Sequence, residues 1–208
     1  MNQGDLLVIG AGGHARIIVD TAVECGYNVV GIIDLNFKGQ EEDIFGVKVV
    51  GGPDVLEQYN QKTTSVFVAI GNNESRKQAF CKLQDMGYHS PTLVHPAASV
   101  SRHVEIGDGT LINAGAVVNA GTTIGPCCII NTSVVLDHEV KIGAFTHIAP
   151  GCAIGGRSQV GSSSFVGLGT AIIDSITIGD DVIIGAGSTI IKDVAHGSKV
   201  VGVGRLIN

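Results

Sequence analysis

Asp137, His138 and Glu139 stand side by side in a stretch that is otherwise poor in charge, and His147 follows nine residues later. An imidazole can take up a proton near neutral pH, and an adjoining carboxylate favours its charged form. A His flanked by acids is therefore equipped for general-base work, taking a proton from an attacking amine or hydroxyl. The same triplet also fits a solvated turn whose acids are ordinary surface charge. His147, immediately before Ile148, reads equally well as structural or functional. Neither the seven histidines nor the five cysteines (25, 81, 127, 128 and 152) show metal-site spacing. The cysteine count is odd and has no CxxC pair, so these residues read as reduced cytosolic thiols serving as small core residues.

A second constellation lies near the N-terminus. Leu6 to Ile9 reads as a buried strand, followed by Gly10-Ala11-Gly12-Gly13-His14-Ala15 and a helical run from Arg16 to Cys25 that Gly26 closes. Val29 to Ile33 reads as the next strand, with Asp34 at its end. This is a βαβ unit with a glycine-rich first turn. The turn is either a tight connection with no ligand or a cradle for phosphate oxygens at a helix N-terminus. Asp34 falls where a ribose-binding acid sits in dinucleotide folds, which by itself suggests NAD. The pattern stops near residue 90 without a second βαβ half, which suits a mononucleotide or nucleotide sugar better. A third strand, Ser65 to Ile70, leads through Gly71-Asn72-Asn73-Glu74 into a helix from Ser75 to Met86.

The elements that position Asp137-His138-Glu139 follow another rule. From Val94 to Ile190, every sixth residue is Val, Ile or Leu, seventeen positions without a miss. That period belongs to neither an α-helix nor a simple strand; it marks a parallel β-helix built of hexapeptides. The residue after each aliphatic is often Gly, Asn or Asp, types expected to take positive φ or to bond locally to their own backbone at the turn. Two residues before it stands a small or β-branched side chain, such as Thr110, Thr146, Cys152 or Ser158. Three hexapeptides make one triangular coil, with coils stacked roughly 4.8 Å apart. The expected division is a Rossmann-like half-domain at 1–90 and a β-helix at 91–208. A net charge of −6 with no basic run disfavours nucleic acid as a partner. No apolar run is long enough for a membrane span, and the N-terminus lacks a signal-like positive region, so a cytoplasmic location is expected.

Taken together, Gly12-Gly13-His14-Ala15, Ala69-Ile70-Gly71-Asn72-Asn73-Glu74 and Asn131 to Glu139 resemble the NeuD/PglD group of hexapeptide acyltransferases over nearly the whole chain. The resemblance implies a left-handed β-helix, a homotrimer with active sites between subunits, and acetyl-CoA as co-substrate without a metal. It implies transfer of acetyl to the 4-amino group of a nucleotide-linked 4-amino-4,6-dideoxy sugar, UDP-linked first, in surface glycan or glycoprotein biosynthesis. In that pattern His138 is the base and Glu139 its supporting acid. His147 meets the thioester, Asn131 is a further polar site residue, and Leu168 and Ala186 border the CoA groove. Gly12, Gly13, His14, Asp34 and Gly71 contact the nucleotide sugar. The attack is direct, with a backbone N–H or His147 donating to the oxyanion. Leu35 stands where PglD-like chains carry a second acid, and Gly202-Val203-Gly204-Arg205 replaces a Gly-Val-Pro-Ala ending, with Arg205 placed to meet a CoA phosphate. Alternatives are O-acetylation of sialic acid or another sugar in the NeuD manner, a dTDP- or GDP-linked acceptor, and a non-catalytic prism that binds nucleotide sugar. A serine-acetyltransferase-like enzyme lacks its helical domain here, and nucleotidyl transfer would need a longer N-terminal domain.

Overall fold

The computed structural model describes residues 3–39, 42–202 and 205–206. The chain forms two compact units, Met1–Pro96 and Ala97–Asn208. In the first, β1 (Asp5–Ile9), α1 (Gly13–Glu24), β2 (Asn28–Ile33), β3 (Asp43–Ile44), β4 (Val47–Gly51), a 3-10 helix (Pro53–Gln58), β5 (Thr64–Val68) and α2 (Asn73–Asp85) follow in order. The sheet runs β3-β4-β2-β1-β5. β1 pairs in parallel with β2 and β5, and β2 with β4, while β3 and β4 form an antiparallel hairpin. Leu6, Leu7 and Val8 are fully buried, as a central parallel strand with both faces covered requires.

Two local differences from the sequence reading have physical causes. The β3–β4 hairpin was not anticipated because its turn is Phe45-Gly46, both at positive φ (54° and 83°). Such a turn normally announces itself with Asn-Gly or Gly-Gly. Both helices also begin earlier than Arg16 and Ser75. Gly13 already belongs to α1, and Asn72 caps α2 by accepting the Ser75 N–H at 2.9 Å, which brings Asn73 and Glu74 into its first turn.

The second unit is a left-handed parallel β-helix of two-residue strands on three faces. Val118, Leu136 and Ile154 represent the first face, Ile124, Ile142 and Val160 the second, and Ile130, Ile148 and Val166 the third. Each strand pairs in register with the one eighteen residues on, for example Leu136 with Ile154. From Ile112 to Ile190 every sixth-position aliphatic is at most 4% exposed. Val94, Val100 and Ile106 are only half-buried.

The small residues two before each aliphatic do more than fill space. Thr110, Thr122, Thr146 and Ser164 are fully buried and donate to the carbonyls of Gly125, Asp137, Gly161 and Gly179. Some accept as well: Ser164 N–H donates to Thr146 Oγ1 at 3.2 Å. Cys152 joins this ladder, with Sγ 3.1 Å from the Gly167 carbonyl, and burial pushes its thiol above the usual range. Cys127, Cys128 and Cys152 are core residues as expected, but Cys25 is half-buried and Cys81 is exposed on α2.

The turn chemistry expected from the sequence is corrected. Positive φ falls three residues after each aliphatic from Ile106 to Ile184, at Gly115, Gly121, Ser133, Glu139 and Gly151 among others. The glycines directly after the aliphatics are required by close backbone stacking. A Cβ on Gly107 would lie 2.5 Å from Pro126 N, and one on Gly125 2.6 Å from Ala144 N.

Thr146→Val keeps the volume and removes both hydroxyl bonds, so it should cost ~1–3 kcal/mol. Cys152→Ser retains a donor toward Gly167 and should stay within ~1 kcal/mol of the parent. Denaturant unfolding of the two variants checks this, and equal losses would refute the ladder.

Candidate active site

Leu136, fully buried, anchors the turn between the first and second faces, and the next three residues project from it. Asp137 does not reach the imidazole. Its Oδ1 accepts from the His138 backbone N–H at 2.7 Å and from Asn119 Nδ2 at 3.1 Å, which holds its carboxyl below the usual range. Of the two acids flanking His138, Glu139 makes the contact, with Oε2 3.3 Å from His138 Nδ1. Glu139 occupies the left-handed region at φ 58°, which costs a side-chain-bearing residue roughly 1 kcal/mol or more. Its N–H is tied to Ala120 O, and the His138 carbonyl accepts from Arg157 N–H at 2.9 Å. With Nδ1 turned to a carboxylate, the ring proton belongs on Nδ1, and Nε2 keeps the lone pair a base needs. The side chains of His138 and Glu139 are 48% and 61% exposed, open to a reactant.

His147 lies on the third face, in register with Ile129 and Phe165, and meets the Phe165 ring edge-on at 5.2 Å. Asn131 Nδ2 is 3.2 Å from its Nε2. Because Asn131 Oδ1 accepts from Thr132 N–H at 2.8 Å, the amide nitrogen must face His147, so Nε2 accepts and the ring proton sits on Nδ1. Nδ1 is shut off from solvent, so in this orientation the ring presents no exposed N–H. Asn113, buried, supports the group through Thr132 Oγ1 at 2.9 Å. The sequence reading passed over Asn113; its place eighteen residues before Asn131 was the available signal.

The site residues thus form two groups in one chain. His138 and Glu139 occupy the corner between the first and second faces. Asn131 and the exposed Leu168 and Ala186 occupy the turns between the third and first, with His147 on the adjoining third face. The prism core separates the two histidines within one chain. Arg205 lies in a short terminal strand; its side chain, Val203 and Gly204 fall outside the described residues.

In the N-terminal unit, Gly12 is the N-cap of α1 and no side chain caps that helix end. Around Gly12, Gly13 and Gly71 an added Cβ would meet nothing within 4 Å, so these backbones face open space. Gly10 is different: φ is 109° and a Cβ would press on Ala69 O at 3.1 Å. Asp34 Oδ1 accepts from Asn36 N–H at 3.0 Å. Beside it, at the carboxyl ends of β1 and β2, a mostly apolar cavity of about 460 Å³ is lined by Ile9, Ile33, Leu35, Leu56 and Leu83 together with the charged Asp54, Glu57 and Lys82. That is where open α/β sheets hold ligands. The sequence reading also missed Arg76, 1% exposed, whose guanidinium donates to Ile70 O, Gly71 O and Asn73 Oδ1 and so fixes the turn that carries Gly71. Burial, then the Arg76 charge, lowers the His14 pKa to about 4, and its Nε2 is sealed without a hydrogen bond.

His14 is therefore neutral in the fold. Because its folded pKa lies below the unfolded 6.5, stability is fully present above pH 6.5 and is lost as pH falls toward 4. The full shift corresponds to ~3 kcal/mol. His14→Gln should flatten that acid-side loss in unfolding measurements between pH 7 and 4; an unchanged slope would contradict a buried neutral imidazole.

Residues 5–83 match the PglD N-terminal domain family. Over 111 residues, 51% of this chain and 50% of the relative, the sequence is 33% identical to UDP-N-acetylbacillosamine N-acetyltransferase of Bacillus subtilis (strain 168), so the match spans about half that protein. The acetyltransferase domain of PglB from Neisseria gonorrhoeae FA1090 superposes with a TM-score of 0.89 at 34% identity, covering 95% of this chain and 96% of that one. A variant of perosamine N-acetyltransferase from Caulobacter crescentus, solved with CoA and GDP-perosamine, gives 0.94 at 35% identity, covering 99% and 98%. With a PglD-type N-terminal domain, a hexapeptide prism and an exposed His-Glu pair on one of its corners, the chain belongs to the PglD-type family of sugar N-acetyltransferases.

Proposed function

We propose that this protein transfers acetyl from acetyl-CoA to the 4-amino group of a nucleotide-linked 4-amino-4,6-dideoxy sugar. The observation that carries the reading is the His138–Glu139 pair, with Nδ1 turned to the acid and Nε2 left to accept a proton. The amine attacks the thioester carbonyl carbon and its N–H proton passes to His138 Nε2. The C–S bond then breaks, CoA departs as thiolate, and the proton returns to sulfur. Glu139 supports the transient imidazolium, and backbone N–H groups steady the oxyanion. No covalent acyl-enzyme is needed, because a neutral amine is already a good nucleophile. The N-terminal unit holds the nucleotide: phosphates on the uncapped start of α1 at Gly12 and Gly13, with His14 and Gly71 beside them, ribose on Asp34, and base in the apolar cavity next to Leu35. The reaction takes place in the cytoplasm, where acetyl-CoA is at hand. One relative is named for a UDP sugar and another is solved with a GDP sugar, so the acceptor panel includes both.

The working enzyme is a homotrimer whose active sites lie between subunits. What supports this is the split of the site residues between two corners of one prism. A closed ring of copies can set the His138 corner of one subunit against the Asn131–His147 side of the next. CoA then lies in the groove between two prisms, along Leu168 and Ala186.

Thiol release from acetyl-CoA is measured with UDP-, dTDP- and GDP-linked 4-amino-4,6-dideoxy sugars and with free sialic acid. Release with one amino sugar is expected, and His138→Ala should lose most of kcat, about a hundredfold or more, with acetyl-CoA affinity little changed. Turnover on sialic acid alone would assign O-acetylation instead, and near-normal turnover by His138→Ala would remove it as the base. For the shared site, His138→Ala and His147→Ala subunits, each first shown to be inactive alone, are dissociated, mixed in equal amounts and reassembled. Sites drawn from two subunits should recover roughly a quarter of parental activity by random pairing. No recovery would place each site within one chain.

A further inference from the structure

We infer that Gly156 is a positioning residue, the floor on which the His138 imidazole lies, and that its missing side chain sets the direction of the base. Position 156 is eighteen residues after 138, directly beneath it in the coil stack. An ideal Cβ there would lie 2.5 Å from His138 Cε1, 2.6 Å from Nε2 and 3.1 Å from Nδ1. The ring therefore rests against the backbone of the next coil, in the space a side chain would otherwise take.

The sequence carries the same signal once the stacking is known. Of the seventeen positions that lie two residues beyond a sixth-position aliphatic, 156 alone is glycine. The others hold residues as varied as Pro126, Thr132, Ser162, Leu168 and Asp174, so the prism does not ask for glycine at this turn position. Backbone conformation does not ask for it either, since Gly156 is absent from the glycines with positive φ. What distinguishes 156 is the imidazole above it.

Gly156 also cannot retreat from a clash. Its N–H donates to Asp174 Oδ1 at 3.2 Å and its carbonyl accepts from Ser175 N–H at 2.9 Å, so the coil below pins it. From the other side, the His138 carbonyl is tied to Arg157 N–H. An added methyl would be relieved by the exposed end of a flexible side chain, the His138 ring. The ring would turn away from the floor, and Nε2 would lose its aim. A base displaced by about 1 Å loses on the order of a hundredfold in rate.

This rests on His138 being the base, and the test separates the two readings. Gly156→Ala should fold with a thermal midpoint close to the parent, keep its KM for acetyl-CoA, and lose kcat about ten- to a hundredfold. Gly156→Val should lose more. Crystal structures of the parent and Gly156→Ala should show the imidazole rotated off position 156 in the variant. Parental kcat in Gly156→Ala, alongside an inactive His138→Ala, would overturn the positioning role and leave the base assignment standing. A ring that stays in place over an added Cβ would overturn it whatever the activity. Should His138→Ala itself be active, the base assignment falls and the positioning role falls with it.

Discussion

The closeness of one backbone to the next, coil upon coil, is the constraint on which the rest of this protein depends. Strands roughly 4.8 Å apart must exchange hydrogen bonds at every level. At the residue after each inward aliphatic the approach is tight enough that Gly107 and Gly125 leave no room for a Cβ. At Asn113, Asn131 and Asp137 the side chain in that position joins the stack, each accepting from the backbone N–H of the following residue. The inward hydroxyls of Thr110, Thr146 and Ser164 complete the same scaffold from inside, each reaching a carbonyl of the next coil.

Function uses the places where this ladder carries an unusual residue. Asp137 stiffens the turn, Glu139 takes the left-handed position that Ser133, Phe145 and Arg157 take at other levels, and His138 between them is pushed outward. The strain at Glu139 is tolerated because its N–H is bonded to the coil before it. Asn131 and His147 form the counterpart on another corner, with Asn113 beneath them. A rigid prism can hold each group within a few tenths of an ångström, but it cannot bend to bring them together. That rigidity is what supports the proposed completion of the site by a second copy.

The N-terminal unit follows a different logic, with its polar elements gathered at the carboxyl ends of the strands. Arg76, buried beneath the turn at Gly71, fixes three acceptors at once and helps keep His14 neutral. The uncapped start of α1, the open space beside Gly12 and Gly13, and the cavity bordered by Leu35 lie on this side of the sheet, where an α/β fold receives its ligand.

The six-residue period alone determined the prism, because no other backbone arrangement turns an aliphatic inward every sixth residue. The glycine-rich turn after Leu6–Ile9 likewise determined the βαβ start, and the adjacency of His138 to Glu139 already limited which acids could serve the base. Adjacency alone leaves Asp137 and Glu139 equivalent, and only the resemblance singled out Glu139; hydrogen bonds from His138 N–H and Asn119 occupy Asp137 and leave Glu139 on the ring. Of the two sequence readings for the residues after the aliphatics, local bonding holds at Asn113, Asn131 and Asp137, while positive φ does not, because close stacking and left-handed turns both select glycine and only coordinates tell them apart. The sequence reading passed over the Phe45-Gly46 hairpin and Arg76, whose local residue types give no warning of a left-handed turn or a buried cation. The hexapeptide count already placed residues eighteen apart in neighbouring coils, but it did not reveal that His138 and His147, nine apart, face different ways. Sequence distance maps onto space only once the chain is wound, and the winding is a property of the tertiary structure.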